Sequence, residues 1–72
     1  MEEKLRSAIK QRLQTERKKQ RYTQEEVAEA VGITTNYYAL IEQGRATPSL
    51  VTIFEIMEFL EIKTLDVLPK KP

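Results

Sequence analysis

The chain has 72 residues, with 12 Lys or Arg, 11 Asp or Glu, and no cysteine or histidine. This length favours a single domain, 1–72, with a small core. The composition excludes disulfides and thiolate metal sites, and it lacks the residue that most often acts as general base or metal ligand. No apolar run could span a bilayer and no signal peptide is evident, so we expect a cytoplasmic protein without membrane, metal or cofactor.

The formal charge of +1 conceals an uneven distribution along the chain. Residues 1–21 carry eight basic and three acidic side chains (+5), residues 22–48 one and four (−3), and residues 49–72 three and four (−1), which sum to +1. A basic arm is compatible with a polyanionic partner, and equally with a solvated helix face. Charge alone therefore does not choose a function.

Residues 1–20 contain no Pro or Gly and predict the first helix. Arg17 continues the apolar stripe of this helix by one turn, so we expect its side chain to point inward. A buried arginine needs an anionic partner, for which Glu42 is the candidate. The stripe itself consists of Leu5, Ala8, Ile9 and Leu13.

Two short helices joined by a glycine turn are predicted over residues 23–43. Thr23 and Glu26 form a capping box at the start of the first, and Thr34 can cap the second. Gly32 and Gly44 stand where a helix ends in a left-handed residue. This pattern is typical of a helix-turn-helix, whose second helix enters the DNA major groove, and also of an αα-hairpin used only for packing.

The remainder of the chain predicts more helix. Ser49 can cap a fourth helix that ends near Leu60 or Glu61 and carries a broad apolar face. A last short helical turn is predicted over residues 65–68, before a tail at residues 69–72. The fold class is therefore all-α with five short helices. The apolar face of the fourth helix consists of Leu50, Ile53, Phe54, Ile56, Met57 and Leu60.

Four segments carry a family resemblance: TQEEVA at 23–28, VGIT at 31–34, IEQGR at 41–45 and PSL at 48–50. Each is common by chance, but all four in this order and spacing are specific. From about Leu13 to Leu68 the chain resembles the lambda-repressor-like helix-turn-helix domains, the Cro and phage-repressor (XRE) family of bacterial transcription regulators. The resemblance implies a compact five-helix domain that binds double-stranded DNA and is not an enzyme.

The resemblance also implies a recognition helix at about residues 35–43 and a set of DNA contacts. Gln24 would meet a phosphate, and Thr35 and Asn36 would face base edges. Tyr37 would reach a phosphate or sugar, or pack in the domain. Leu40 would touch a thymine methyl, or pack. The full set is Gln24, Thr34, Thr35, Asn36, Tyr37, Leu40, Gln43, Arg45 and Thr47.

The turn after the recognition helix has its own implied role. In the family the backbone amides of residues 43–45 hold a phosphate, while Arg45 and Thr47 add side-chain contacts. The Arg17–Glu42 pair would lock the first helix to the third. Arg21 and Glu61 depart from the family by replacing glycines, so we expect either positive φ at about 1 kcal/mol each or a different turn.

One recognition helix covers few base pairs, so we expect a homodimer on an inverted repeat. Candidate dimer residues are Val51, Phe59, Ile62 and Leu65, for which the alternative is ordinary core filling. A second hypothesis is a protein-interaction module, like an antitoxin or an accessory factor, that uses the surface of the fourth helix. An enzyme has no support, because no catalytic constellation is present.

Overall fold

The computed structural model describes residues 3–63, apart from the side chains of Leu5 and Arg6. Within that range the chain forms four helices: α1 (Glu3–Lys19), α2 (Gln24–Val31), α3 (Thr35–Glu42) and α4 (Leu50–Phe59). The all-α prediction is confirmed, and α2 and α3 lie within the range 23–43 predicted for two short helices. The predicted helical turn at residues 65–68 and the tail lie outside the described residues. None of the four helices is long and apolar enough to cross a membrane.

Three of the helices begin at a hydroxyl side chain. Thr23, Thr34 and Ser49 have extended backbones, and each accepts the amide hydrogen of the residue three positions later at 3.0–3.1 Å. At α2 the capping box is complete, because the Thr23 amide donates to Glu26 Oε1 at 2.8 Å. Each such cap stabilises its helix by about 1 kcal/mol. The starts of α2 and α3 are thus settled by local side chains.

All four helices end in the same way, on a left-handed residue. The φ angles are 63° at Arg21, 79° at Gly32, 73° at Gly44 and 59° at Glu61. The amide after each of these residues donates to the carbonyl five positions back at 2.8–3.0 Å, which is the Schellman arrangement. Of the two alternatives expected for Arg21 and Glu61, both residues therefore take positive φ, at a cost of about 1–2 kcal/mol each.

The core lies between the four helices. α2 packs against both α3 and α4, and α1 packs against α3. Tyr38 of α3 is completely buried despite its size, so the recognition helix of the prediction is fixed along one side. The buried apolar residues are Ile9, Leu13, Val27, Ala28, Tyr38, Ile41, Ile53, Ile56, Met57, Leu60 and Ile62.

The apolar face of α4 is narrower than the sequence suggested. Leu50 is 68% exposed and Phe54 is 45% exposed, so these two residues of the predicted apolar face lie outside the core. A ten-residue helix turns only one face to its neighbours. That face is occupied by residues at positions i, i+3, i+4 and i+7, which are Ile53, Ile56, Met57 and Leu60.

The four candidate dimer residues separate into different environments. Ile62 is 6% exposed and belongs to the core, and Phe59 is half-buried with its ring centroid 4.9 Å from that of Tyr22. Ile62 therefore follows the alternative of core filling, and Phe59 packs partly inside the monomer. Val51 is 67% exposed and Leu65 lies outside the described residues. The exposed apolar surface of α4 thus consists of Leu50, Val51 and Phe54.

Candidate nucleic-acid interface

The first turn of α3 stands open to solvent. Thr35 and Asn36 are exposed, and their side chains make no hydrogen bond to any of residues 3–63. Thr34 is also exposed, but its hydroxyl oxygen is committed to the Tyr37 amide at 3.0 Å. Its contribution is therefore to fix the start of the helix, which leaves Thr35 and Asn36 available to a ligand.

Tyr37 and Leu40 occupy an intermediate position on the same helix. Both are half-buried, and Tyr37 packs against the core cluster. Each side chain is therefore partly packed in the domain, which was one of the two alternatives for it; the other was a DNA contact. The remaining exposed parts offer an aromatic edge and an apolar patch beside Asn36, rather than further polar groups.

The turn after α3 departs from the expectation in one respect. The amides of Gln43, Gly44 and Arg45 donate to carbonyls of α3 at 3.0, 3.1 and 2.9 Å. These amides are therefore already hydrogen-bonded at the end of the helix and are not free to bind a phosphate. The side chains of Gln43, Arg45 and Thr47 are exposed, and the amides of Ala46 and Thr47 meet no acceptor within the described part of the chain.

Glu42, at the other end of α3, is 3% exposed and joins three helices. Arg17 of α1 donates to it twice, from Nε to Oε2 at 2.7 Å and from Nη2 to Oε1 at 3.1 Å. Gln24 of α2 donates from Nε2 to Oε1 at 3.0 Å. Arg17 also donates from Nη1 to the Tyr22 carbonyl at 2.9 Å, so all three guanidinium nitrogens are hydrogen-bonded. Such a two-point Arg–carboxylate contact fixes orientation as well as distance.

The titration of this cluster follows from its geometry. Burial by itself raises the pKa of Glu42, but the hydrogen bonds from Arg17, with smaller contributions from Tyr38 and Gln24, outweigh burial and hold that pKa below its usual 4.5. The hydrogen bond to Glu42 raises the pKa of Arg17. Burial raises the pKa of the neighbouring Tyr38 as well, so this phenol stays protonated at any physiological pH. The pair therefore remains ionised at neutral pH.

Two contacts were not predicted from the sequence. Gln24 was expected to reach a phosphate, but its side chain is half-buried and bonded to Glu42. Lys10 lies across the turn after α3, with its Cδ 3.3 Å from where a Cβ on Gly44 would stand. Helix phase could have found the second contact, because Lys10 precedes Arg17 by two turns on one side of α1.

Comparison with known proteins agrees with this geometry. The helix-turn-helix family HTH_3 matches residues 13–68 of the chain, which is the segment whose resemblance was noted from the sequence. No curated protein and no solved structure matches the chain significantly.

The chain therefore belongs to the HTH_3 helix-turn-helix family, of the XRE or Cro and phage-repressor type. It is a DNA-binding domain of a non-enzymatic family.

Proposed function

We propose that this protein is a sequence-specific transcriptional regulator that reads DNA with the first turn of α3 in the major groove. The observation that supports the proposal most strongly is the contrast within α3, where Thr35 and Asn36 are exposed while Glu42 is anchored. An asparagine amide can contact adenine N6 and N7 together, and a threonine methyl can touch the methyl of thymine. The protein would work in the bacterial cytoplasm, on the nucleoid.

Contacts to the DNA sugar-phosphate backbone would come from residues on both sides of the first turn of α3. The start of α2 presents free amides and the positive end of a helix dipole, which favour a phosphate beside Gln24. On the other side, the exposed side chains of Gln43, Arg45 and Thr47 supply one cation and two polar groups. Contacts of this kind set affinity and register, whereas the base contacts set specificity.

We also propose that two copies bind an inverted repeat. A two-fold dimer places two recognition helices about one DNA turn apart, which extends the site beyond the few base pairs that one helix covers. The exposed residues Leu50, Val51 and Phe54 offer an apolar patch for an isologous contact. Val51→Glu should give a folded monomer. If sedimentation shows the wild type to be monomeric at high concentration, with and without DNA, the dimer proposal fails.

The same patch supports a second candidate function. A protein partner, such as a toxin or a component of the transcription machinery, could cover Leu50 and Val51 instead of a second copy. A monomeric wild type that co-purifies with one small protein and binds no DNA would favour this alternative.

The direct experiment selects binding sites from randomised duplexes and then measures affinity for the enriched site over a salt series. Arg45→Gln should flatten the slope of log K against log salt by about 0.9, the value for one lost phosphate contact. Lys19→Gln removes the same charge from the exposed far end of α1 and serves as the control. Failure to enrich any sequence, or absence of binding at low salt, would overturn the proposed function.

A further inference from the structure

Lys10 is placed where α1 meets the end of α3. Its side chain is exposed, and its Cδ would stand only 3.3 Å from a Cβ on Gly44. The stem of the lysine therefore lies along the backbone of the turn, and one methylene beyond Cδ carries the ammonium group. A shallow cleft of about 240 Å³ lies at this junction, lined by Glu3, Ser7, Lys10, Gln43 and Gly44.

We propose that Lys10 binds a DNA phosphate together with the turn after α3, so that α1 forms part of the nucleic-acid interface. This inference rests on the proposed function, because the ligand is the phosphate that the side chains of Gln43 and Arg45 are proposed to contact. Arg45 follows Gly44 directly and is exposed. Lys10 thus lies beside the residue that directly precedes Arg45, and the two cations can neutralise a single phosphate or two successive phosphates at this turn.

Gly44 is what permits the arrangement. With φ at +73° and no side chain, it lets the lysine stem pass across the turn at a distance that any larger residue would disturb. Lys10 also lies outside residues 13–68, the segment that the family shares. The contact is accordingly a feature of this chain's longer first helix, and not one that family membership supplies.

Lys10 has no ion-pair partner in the described part of the chain. Within residues 3–63, no carboxylate approaches Lys10 to ion-pair distance. Glu3 lines the same cleft, but it lies seven residues earlier on α1, about 10 Å along the helix axis. The ammonium therefore keeps its full attraction for an external anion, and the Ser7 hydroxyl in the cleft can add a neutral hydrogen bond.

The test compares Lys10→Gln with Lys19→Gln on a selected duplex between 50 and 200 mM salt. Lys19 is exposed and lies nine residues further along α1, about half a turn round from Lys10, so it points away from the junction. Lys10→Gln should flatten the salt slope by about 0.9, whereas Lys19→Gln should leave the slope within error of the wild type. Over this four-fold range in salt, the slope change alters the ratio of wild-type affinity to Lys10→Gln affinity by about 3.5-fold.

Lys10→Arg should restore the wild-type slope, because it restores the charge. Thermal unfolding of all three variants should match the wild type, since each residue is exposed. Equal slopes for Lys10→Gln and the wild type, in a protein that does bind DNA, would overturn this inference alone. A wild type that binds no duplex would overturn the proposed function as well, and the two failures are thereby distinguished.

Discussion

The two ends of α3 differ in exposure and in hydrogen bonding, although the helix is only eight residues long. At its start, Thr35 and Asn36 are exposed and make no hydrogen bond to the rest of the described chain. At its end, Glu42 is 3% exposed and receives three hydrogen bonds from two other helices. The difference indicates a division of roles within one helix: the anchored end orients α3, and the exposed end is the part that the proposed function assigns to DNA.

The largest effect should come from breaking the anchored end. Glu42→Ala leaves the Arg17 guanidinium without its anion and should lower the free energy of unfolding by about 3–5 kcal/mol. Urea unfolding followed by circular dichroism measures this loss. Glu55→Ala, which removes an exposed carboxylate from α4, should change stability by no more than about 0.5 kcal/mol. A loss below about 1 kcal/mol for Glu42→Ala would show that the pair does not anchor α3.

The same end should respond to acid. Because the folded state holds the pKa of Glu42 below its usual 4.5, ionised Glu42 stabilises the fold above pH 4.5. That stabilisation is lost as the pH falls through the lower, folded-state pKa. Unfolding measured at a series of pH values should show a steeper decline below pH 4.5 for the wild type than for Glu42→Gln. Parallel declines would mean that other carboxylates govern acid unfolding.

The free end should show the opposite behaviour. Asn36→Ala should cost about 1–3 kcal/mol of discrimination between the selected site and a site with its adenine replaced. Stability should stay within about 0.5 kcal/mol of the wild type, and the salt slope should not change. Gln14→Ala, at an exposed polar position on α1, provides the matched control. An unchanged preference would remove Asn36 from the set of base-reading residues.

The smallest effect concerns the glycine that follows the anchored end. Gly44→Ala should lower the free energy of unfolding by about 1–2 kcal/mol, because alanine resists a φ of 73°. Gly32→Ala is the control, since its φ of 79° is similar but an added Cβ would meet nothing within 4 Å. Any excess loss in Gly44→Ala measures the contact with Lys10. Equal losses would show that the lysine stem moves aside freely.

Much of the fold was predictable because its rules are local. The Thr23–Glu26 capping box, the Thr34 cap and the glycine ends at 32 and 44 each involve groups within five residues of one another. The interactions that fix these helix ends therefore depend only on residues close together in the sequence. A left-handed φ at Arg21 was one of two alternatives implied by the family pattern, and the structure shows it at 63°.

The candidate site was predictable in its residue positions but not in all its contacts. Helix phase pointed Arg17 inward, and the need of a buried arginine for an anion indicated Glu42 as its partner, which the resemblance also implied. Neither source indicated that Gln24 would also bond to Glu42 at 3.0 Å. Nor did they show that the amides of residues 43–45 would be occupied by the end of α3.

The amino-acid sequence by itself determined where the helices begin and end, the membership of the family and the identity of the exposed residues at the start of α3. Only the tertiary structure decided that Leu50 and Phe54 stay exposed, and that Lys10 crosses Gly44. The reason is that these contacts depend on the angles and offsets at which the helices cross. The crossing angles and offsets are set by the packing of all the core side chains together, so they cannot be deduced from any single stretch of sequence.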